Sequence, residues 1–365
     1  MASIRHILDA LQAIAPSEYA LSGDKIGLQI GDLEANVKWA QVSLDRSFGA
    51  VTACRASHSQ LLLSHHPLIW QPLTTLTSAS DVTVCVRDMV AGGINLIAAH
   101  TNWDCAPGGV NDALAAKLGL MDVTPFGSAA KYEALKLVTF CPADSVDGIF
   151  DAAAEAGAGV VGGYRRCGFH HSGEGTFEAP KGSSPVVGKS GKRNRTQEVR
   201  LEMELSTAHR SAVEAAVRAA HPYEAPAIDF LVTQKLGVPI GRKGRLKQPL
   251  SVVKFHDYLD RALETRSLAW DGRQGKLEWV AVVGGAADDE WRAAYDAGCE
   301  GFITGEVKQH NAVEGSGWGI NMFAAGHYAT EQPGMEALAA AMRKVVPDVE
   351  WNLFVPNPGK SGRPL

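Results

Sequence analysis

The stretch Leu61-Leu62-Leu63-Ser64-His65-His66-Pro67 is an apolar run that stops at a pair of imidazoles. Three leucines in succession, without alternation, predict a strand buried on both faces, as in a parallel sheet covered by helices. Pro67 cannot extend the ladder and keeps its predecessor extended. Three further runs share this ending. Residues 94–99 (Ile-Asn-Leu-Ile-Ala-Ala) stop at His100, with Asp104 four residues on. Residues 301–305 (Gly-Phe-Ile-Thr-Gly) stop at Glu306, with His310 four residues on. Residues 321–326 (Asn-Met-Phe-Ala-Ala-Gly) stop at His327, with Glu331 four residues on. In open α/β sheets, ligands sit outside the carboxyl ends of the strands. Imidazoles and carboxylates gathered there, without a thiolate, suit a hard-to-borderline cation.

Around these runs, strand and helix patterns alternate. Ile4, Ile7, Leu8, Leu11 and Ile14 recur at helical spacing and Pro16 follows. Strands are expected over 26–31 and 39–44, and helices over 82–91 and 111–118. Such alternation means βαβ units and a parallel sheet. From about residue 131 the texture changes. A strand over 136–140 and a helix over 145–156 precede an unbroken charged–apolar alternation over 198–205, the mark of a half-exposed antiparallel strand. A helix over 208–220 and a strand over 227–232 complete a ferredoxin-like series. After about residue 236 the α/β texture returns, with helices over 257–265, 288–297 and 335–345 and a strand over 279–283. The fold class is therefore α/β, with mostly parallel sheets, helices on both faces and an inserted ferredoxin-like α+β domain. Residues 1–128 and 236–365 form the two parts of the α/β domain and 129–235 the insert. The tail from Pro356 to Pro364 should be flexible.

The 365 residues, 45% apolar and 21% charged, suffice for two or three domains of an ordinary soluble protein. A net charge of −5 gives no electrostatic case for nucleic acid or an anionic membrane. Cys54, Cys85, Cys105, Cys141, Cys167 and Cys299 form no Cys-x-x-Cys pair. That argues against a thiolate zinc knot and suits a reducing compartment. The N-terminus lacks a long apolar segment and no run reaches bilayer-spanning length, so the cytoplasm is the expected location.

The strand-end residues form a coherent donor set. Adjacent strand residues point to opposite faces, so His65 and His66 cannot share one ion within regular strand. At the strand end their rings can diverge, each serving one of two neighbouring ions. His327 and Glu331, at i and i+4, face the same way on a helix. Asp104 supplies a second carboxylate, and carboxylates bridge two ions where a neutral imidazole does not. His65, His66, Asp104, His327 and Glu331 thus suit two divalent ions better than one. Two ions about 3.5–4 Å apart can hold and deprotonate a shared water near neutral pH. Zinc is the first expectation, with iron, manganese, cobalt and nickel compatible. His100 is expected to orient a ligand from behind. Glu306 and His310 are candidates for substrate contact or proton transfer, with a solvated loop as the plain alternative. Each motif alone has an ordinary explanation, but chance rarely places such groups at four strand ends.

Other signals carry less. Residues 183–190 nearly spell a phosphate-binding P-loop, but the first glycine is displaced to Gly182 and no strand–helix context surrounds it. The basic run Lys181, Lys189, Lys192, Arg193 and Arg195 reads as a solvated loop. Gly284-Gly285 follows a strand and opens a helix, where backbone N–H groups could hold a phosphate. His170-His171 reads as exposed loop rather than a second metal site.

The segments 62–68 (Leu-Leu-Ser-His-His-Pro-Leu), 100–104 (His-Thr-Asn-Trp-Asp), 303–310 (Ile-Thr-Gly-Glu-Val-Lys-Gln-His) and 326–331 (Gly-His-Tyr-Ala-Thr-Glu) resemble the Nif-three-like family. Its members are dinuclear metal proteins, many of them GTP cyclohydrolase I type 2 homologues. Residues 162–167 and 221–224 resemble the insert of its longer members, a unit similar to the PII/CutA type. The resemblance implies metal ligands at His65, His66, Asp104, His327 and Glu331, the five that spacing selects. It also implies a ring-shaped homohexamer whose metal sites face an interior cavity. One departure stands out: where the family often has Trp-Asp-Asn-Val-Gly-Leu near its start, residues 23–28 read Gly-Asp-Lys-Ile-Gly-Leu. The expected function is metal-dependent hydrolysis of a small molecule, cyclohydrolase chemistry on a purine nucleotide first and phosphoester hydrolysis second. The rival is a non-catalytic metal-binding scaffold or regulatory protein whose insert docks a partner or effector.

Overall fold

The computed structural model describes residues 1–161, 164–182, 188–273 and 275–356. They fall into two compact units, one built from residues 1–130 and 237 onward, the other from residues 131–236. The first unit holds two mixed sheets with parallel centres. One runs Glu350–Leu353, Trp39–Ser43, Leu61–Ser64, Asn95–Ala98, Gly27–Ile30. Its first four strands are parallel and the last is antiparallel to its neighbour. In the other, Lys276–Val282, Gly301–Thr304 and Asn321–Ala324 are parallel. Antiparallel strands flank them, Leu268–Trp270 on one side and residues 242–251 on the other. The parallel centres match the sequence reading. Gly27–Ile30 and Leu268–Trp270 are short edge strands, where no crossover helix dictates direction, whereas residues 242–251 have a strand on each side.

Burial explains the unbroken leucine run. Leu61 and Leu63 pack with Val42, Ile97, and the helices Ile4–Ile14 and His327–Val345. Leu62 faces the other way, onto Cys54, Val86, Met89 and Leu96 of the helices Phe48–Ala56 and Asp81–Ala91 and their neighbouring strand. All three leucines are fully buried, each contributing roughly 1.5–3 kcal/mol of apolar transfer. The second sheet repeats the scheme. Val280, Val282, Ile303 and Phe323 meet Phe255 and Leu259 on one face, and Ala281, Val283, Phe302 and Met322 meet Trp291 and Ala294 on the other. Serines cap several helices, Ser3, Ser47, Ser80 and Ser251 each accepting from a backbone N–H of the first turn.

In the second unit the strand Arg193–Ser206 pairs antiparallel with Phe169–Glu178 and with residues 134–141. The helices Val146–Glu155 and Arg210–Ala220 cover Leu137, Leu201, Met203 and Leu205. Element order is strand, helix, strand, strand, helix, strand. His170 and His171 lie in Phe169–Glu178, both exposed, and not in a loop. Gly173 and Gly175 interrupt the alternation that would have marked the strand. Arg193 and Arg195 likewise open a strand instead of closing a loop. Residues 183–187, most of the near P-loop, and the tail beyond residue 356 lie outside the described residues. The last long helix starts at His327, eight residues before the expected 335, and carries Pro333 inside it. Among the described residues no helix is long and apolar enough to cross a membrane.

Candidate metal centre

The strands place the candidate residues at one edge. His65 and His66 follow Leu61–Ser64, and His100 follows Asn95–Ala98; Glu306 follows Gly301–Thr304 and His327 follows Asn321–Ala324. Asp104 sits on the one-turn helix Thr101–Cys105, and Glu331 one turn into His327–Val345. Glu331 is the hub. Its Oε2 lies 3.1 Å from His66 Nε2 and 3.1 Å from His327 Nε2, while its Oε1 lies 3.8 Å from His65 Nε2. His65 Nε2 is in turn 3.5 Å from Asp104 Oδ1. The five expected ligands are therefore brought together, across 265 positions between His66 and Glu331.

Each histidine has its Nδ1 occupied from behind. His65 Nδ1 is 2.8 Å from the Ala99 carbonyl and His66 Nδ1 is 2.8 Å from Asp45 Oδ1. His327 Nδ1 is 2.8 Å from Glu306 Oε1, and His100 Nδ1 is 2.8 Å from Asp24 Oδ1. An acceptor at Nδ1 holds the proton there and leaves Nε2 as a lone-pair donor, the usual preparation of an imidazole ligand. Asp45 and Asp24 escaped the sequence reading. Asp45 was detectable, since it ends the expected strand 39–44 as the other candidates end theirs. His100 lies closer to the cluster than expected: its ring centroid is 5.0 Å from that of His65 and 5.8 Å from that of His66. Ligand atoms of His65, His66 and His100 all lie within 4.8 Å of one another, as do those of His66, His327 and Glu331. His310 is exposed, near the start of the helix Gln309–Trp318.

The donor chemistry fits a cation. Among the described residues neither His65 Nε2 nor Asp104 Oδ1 has a hydrogen-bond partner, although both are buried. Two acceptors facing each other across 3.5 Å would leave both desolvated and unsatisfied unless a positive group lies between them. Burial pushes the His65 imidazole down to about 3, so its ring is neutral. Burial, reinforced by the Glu331 charge, pushes the Asp104 carboxyl well above the usual carboxylate range. Burial works against charge on Glu331 too, but hydrogen bonds from His327 and His66 prevail and hold it well below that range. Burial is likewise outweighed at His66, which Asp45 and Glu331 hold up at about 10. The Glu331 hydrogen bond keeps His327 up at about 9. Protons thus balance the acids, and a divalent cation would displace them on binding.

The surrounding frame is tied together by hydrogen bonds. Asn111 Nδ2 donates to the carbonyls of Asp104 and Ile240, at 3.2 and 2.8 Å. Buried Arg242 donates to Asp112 and to the carbonyl of Cys105. The Gly284-Gly285 loop is not a phosphate cradle. Its N–H groups donate to Asn111 Oδ1 and Thr330 Oγ1, at 2.7 and 3.1 Å. Its role is space: Gly285 has φ +69°, and a Cβ there would lie 2.2 Å from Glu331 Oε1.

The Duf34/NIF3 (NGG1p interacting factor 3) family matches residues 2–357. A Mycobacterium tuberculosis protein called a GTP cyclohydrolase 1 type 2 homolog is 34% identical over 346 residues, 92% of this chain and 90% of that one. A Bacillus subtilis protein of the same name is 30% identical over 356 residues, 96% and 95% of the two chains. Among solved structures, a Bacillus cereus protein related to NIF3 superposes with a TM-score of 0.76 at 28% identity, over 98% of this chain and 97% of that one. The strand-end motifs, the architecture that gathers them and these full-length likenesses agree: the chain belongs to the Duf34/NIF3 family.

Proposed function

We propose that this protein is a dinuclear metal-dependent hydrolase acting on a small molecule. The observation that carries the reading is the split engagement of Glu331, one oxygen toward His65, which itself faces Asp104, the other toward His66 and His327. His65, Asp104 and Glu331 would hold one ion, His66, His327 and Glu331 the other, with zinc the first candidate. Two ions held there would supply the means to lower the pKa of a water and to neutralise charge growing on the attacked group. The chain does the rest. Asp45, Glu306 and the Ala99 carbonyl aim the three imidazoles. Glu306, with its side chain 61% exposed, would exchange a proton with substrate at the outer edge. His310 is the second candidate for that exchange. The name carried by the M. tuberculosis and B. subtilis relatives supports cyclohydrolase chemistry on a purine nucleotide as the first substrate to try. A homohexamer belongs to the same proposal, as does a ferredoxin-like reading of the second unit from its element order.

The test pairs metal content with turnover. Metal-loaded protein and a His65→Ala, Glu331→Ala double variant would be assayed on GTP and on a phosphomonoester such as p-nitrophenyl phosphate. Two ions per wild-type chain, metal loss in the variant and turnover only in the wild type are expected. Equal background rates in both proteins on every substrate would sink the hydrolase and leave a metal-binding scaffold.

A further inference from the structure

One exposed aromatic side chain borders the cluster and has no part in ligation. Trp70 is 44% exposed, while Leu68 before it is 2% exposed and packs in the core. Ile69 also packs there in part. Trp70 turns out of that core, toward the cluster. Its ring centroid lies 5.5 Å from that of His100 with the planes at 85°, a T-shaped contact at the candidate ligands' edge. The segment that carries it is held. Gln29 Oε1 accepts from the Leu68 and Ile69 N–H groups, at 2.8 and 3.0 Å. The Gln29 Nε2 donates to the carbonyls of Ile69 and Lys25, at 3.2 and 3.0 Å, so one amide ties the Trp70 segment to the loop containing Lys25. That loop is anchored at the cluster too, since Asp24 accepts from His100 and from Thr101 N. Lys25 is exposed, and among the described residues its ammonium has no ion pair or hydrogen bond.

A flat π-face and an unpaired cation, both on segments tied to the cluster's edge, match a flat ring that carries an anion. We propose that Trp70 and Lys25 form the recognition rim of the site, Trp70 stacking a planar heteroaromatic ring of the substrate and Lys25 meeting its phosphate. The inference rests on the hydrolase reading for its purpose, but its evidence is the rim itself. Lys25 follows Asp24, the residue that ties this loop to His100 and Thr101. An indole has only two χ angles and loses little freedom on binding a ring. Base–aromatic stacking of this type changes affinity about tenfold to a hundredfold.

Calorimetric titration of the metal-loaded full-length protein with GMP, ribose 5-phosphate and guanosine tests the rim. GMP should bind at least tenfold more tightly than either fragment. Trp70→Ala should weaken GMP about tenfold to a hundredfold, with ribose 5-phosphate within twofold and metal content unchanged. Trp70→Phe should recover most of the loss. Lys25→Ala should weaken GMP and ribose 5-phosphate several-fold and leave guanosine alone. No GMP binding at millimolar concentration, ribose 5-phosphate binding as tight as GMP, or a Trp70→Ala protein with unchanged GMP affinity each overturns the proposal. Binding in the expected pattern without turnover of any substrate keeps the rim and removes the hydrolase. Turnover whose KM ignores Trp70→Ala does the reverse.

Discussion

Asp45 holds His66 from behind: its Oδ1 lies 2.8 Å from Nδ1, which turns Nε2 toward Glu331 at 3.1 Å. An imidazole without that partner can flip or change tautomer, and either change removes the lone pair from the cluster. Asp45→Ala should therefore lower metal affinity about tenfold to a hundredfold while the fold persists. Asp45→Asn keeps an acceptor oxygen and should lose less. Competition against a chelator of known affinity reads both, and equal affinity in all three proteins would show that Asp45 does not position the ring.

Gly285 makes a sharper case because two costs separate. Its φ of +69° disfavours any side chain, and its Cβ would approach Glu331 Oε1 to 2.2 Å. Gly298 also has a positive φ, +81°, but a Cβ there meets nothing within 4 Å. Each Gly→Ala change should cost about 1 kcal/mol or more through the backbone. Only Gly285→Ala should also reduce bound metal. Thermal unfolding and metal analysis of the two variants, side by side, check this. Equal metal content in both would mean that the close approach has no consequence.

Much of this centre is legible in the sequence, for a physical reason. A parallel strand buried on both faces is written as unbroken apolar residues, and such a strand must end where the sheet ends. His65, His100, Glu306 and His327 are therefore located by where the apolar runs stop. The pattern says less about what holds them. Asp24 and Asp45 sit in short polar stretches that any surface loop could contain, and their value appears only when a distant imidazole arrives. Gly27–Ile30 is legible as the strand expected over 26–31, but four half-buried residues without alternation do not tell that it runs antiparallel. The exposed strand containing His170 and His171 is not legible at all, since Gly173 and Gly175 erase its texture. Sequence spacing likewise cannot distinguish a ring beside the cluster from one behind it, which is why only the fold shows the His100 ring 5.0 Å from that of His65.

Arg242 is a third test, of the frame and not of the ligands. It is 2% exposed, and its guanidinium donates to Asp112 at 2.6 Å and to the Cys105 carbonyl at 3.0 Å. Removing one partner of a buried, hydrogen-bonded pair costs about 3–5 kcal/mol, since the groups left behind stay desolvated. Arg242→Ala should unfold at clearly lower denaturant concentration than wild type. A midpoint unchanged within error would mean water reaches these carbonyls easily.

The cysteines offer a check on burial itself. Cys54, Cys85, Cys105, Cys141 and Cys299 are buried and Cys167 is only partly so. Burial pushes the thiols of Cys54, Cys105 and Cys299 up to about 12, and that of Cys141 to about 11. The thiolate is the reactive form, so these four should resist alkylation at pH 8. Iodoacetamide followed by mass mapping should find Cys167 modified first, the others only after denaturant. Early labelling of Cys105, one residue from Asp104, would show that the site opens.

The acids give the last prediction. Asp104 and Glu331 are 7% and 4% exposed, and Asp104 faces an imidazole lone pair with no partner of its own. Gathering two carboxylates in a buried cluster opposes folding unless positive charge joins them, and a cation that binds only the folded chain repays that cost by mass action. At a free concentration one hundred times its dissociation constant, one such ion adds about 2.7 kcal/mol. Protein stripped with a chelator should therefore melt at lower temperature than protein resupplied with zinc. The difference should vanish in an Asp104→Asn, Glu331→Gln double variant, which neither repels nor ligates. A stripped wild type that melts with the reloaded one would mean that protons on Asp104, His66 and His327 balance the cluster unaided.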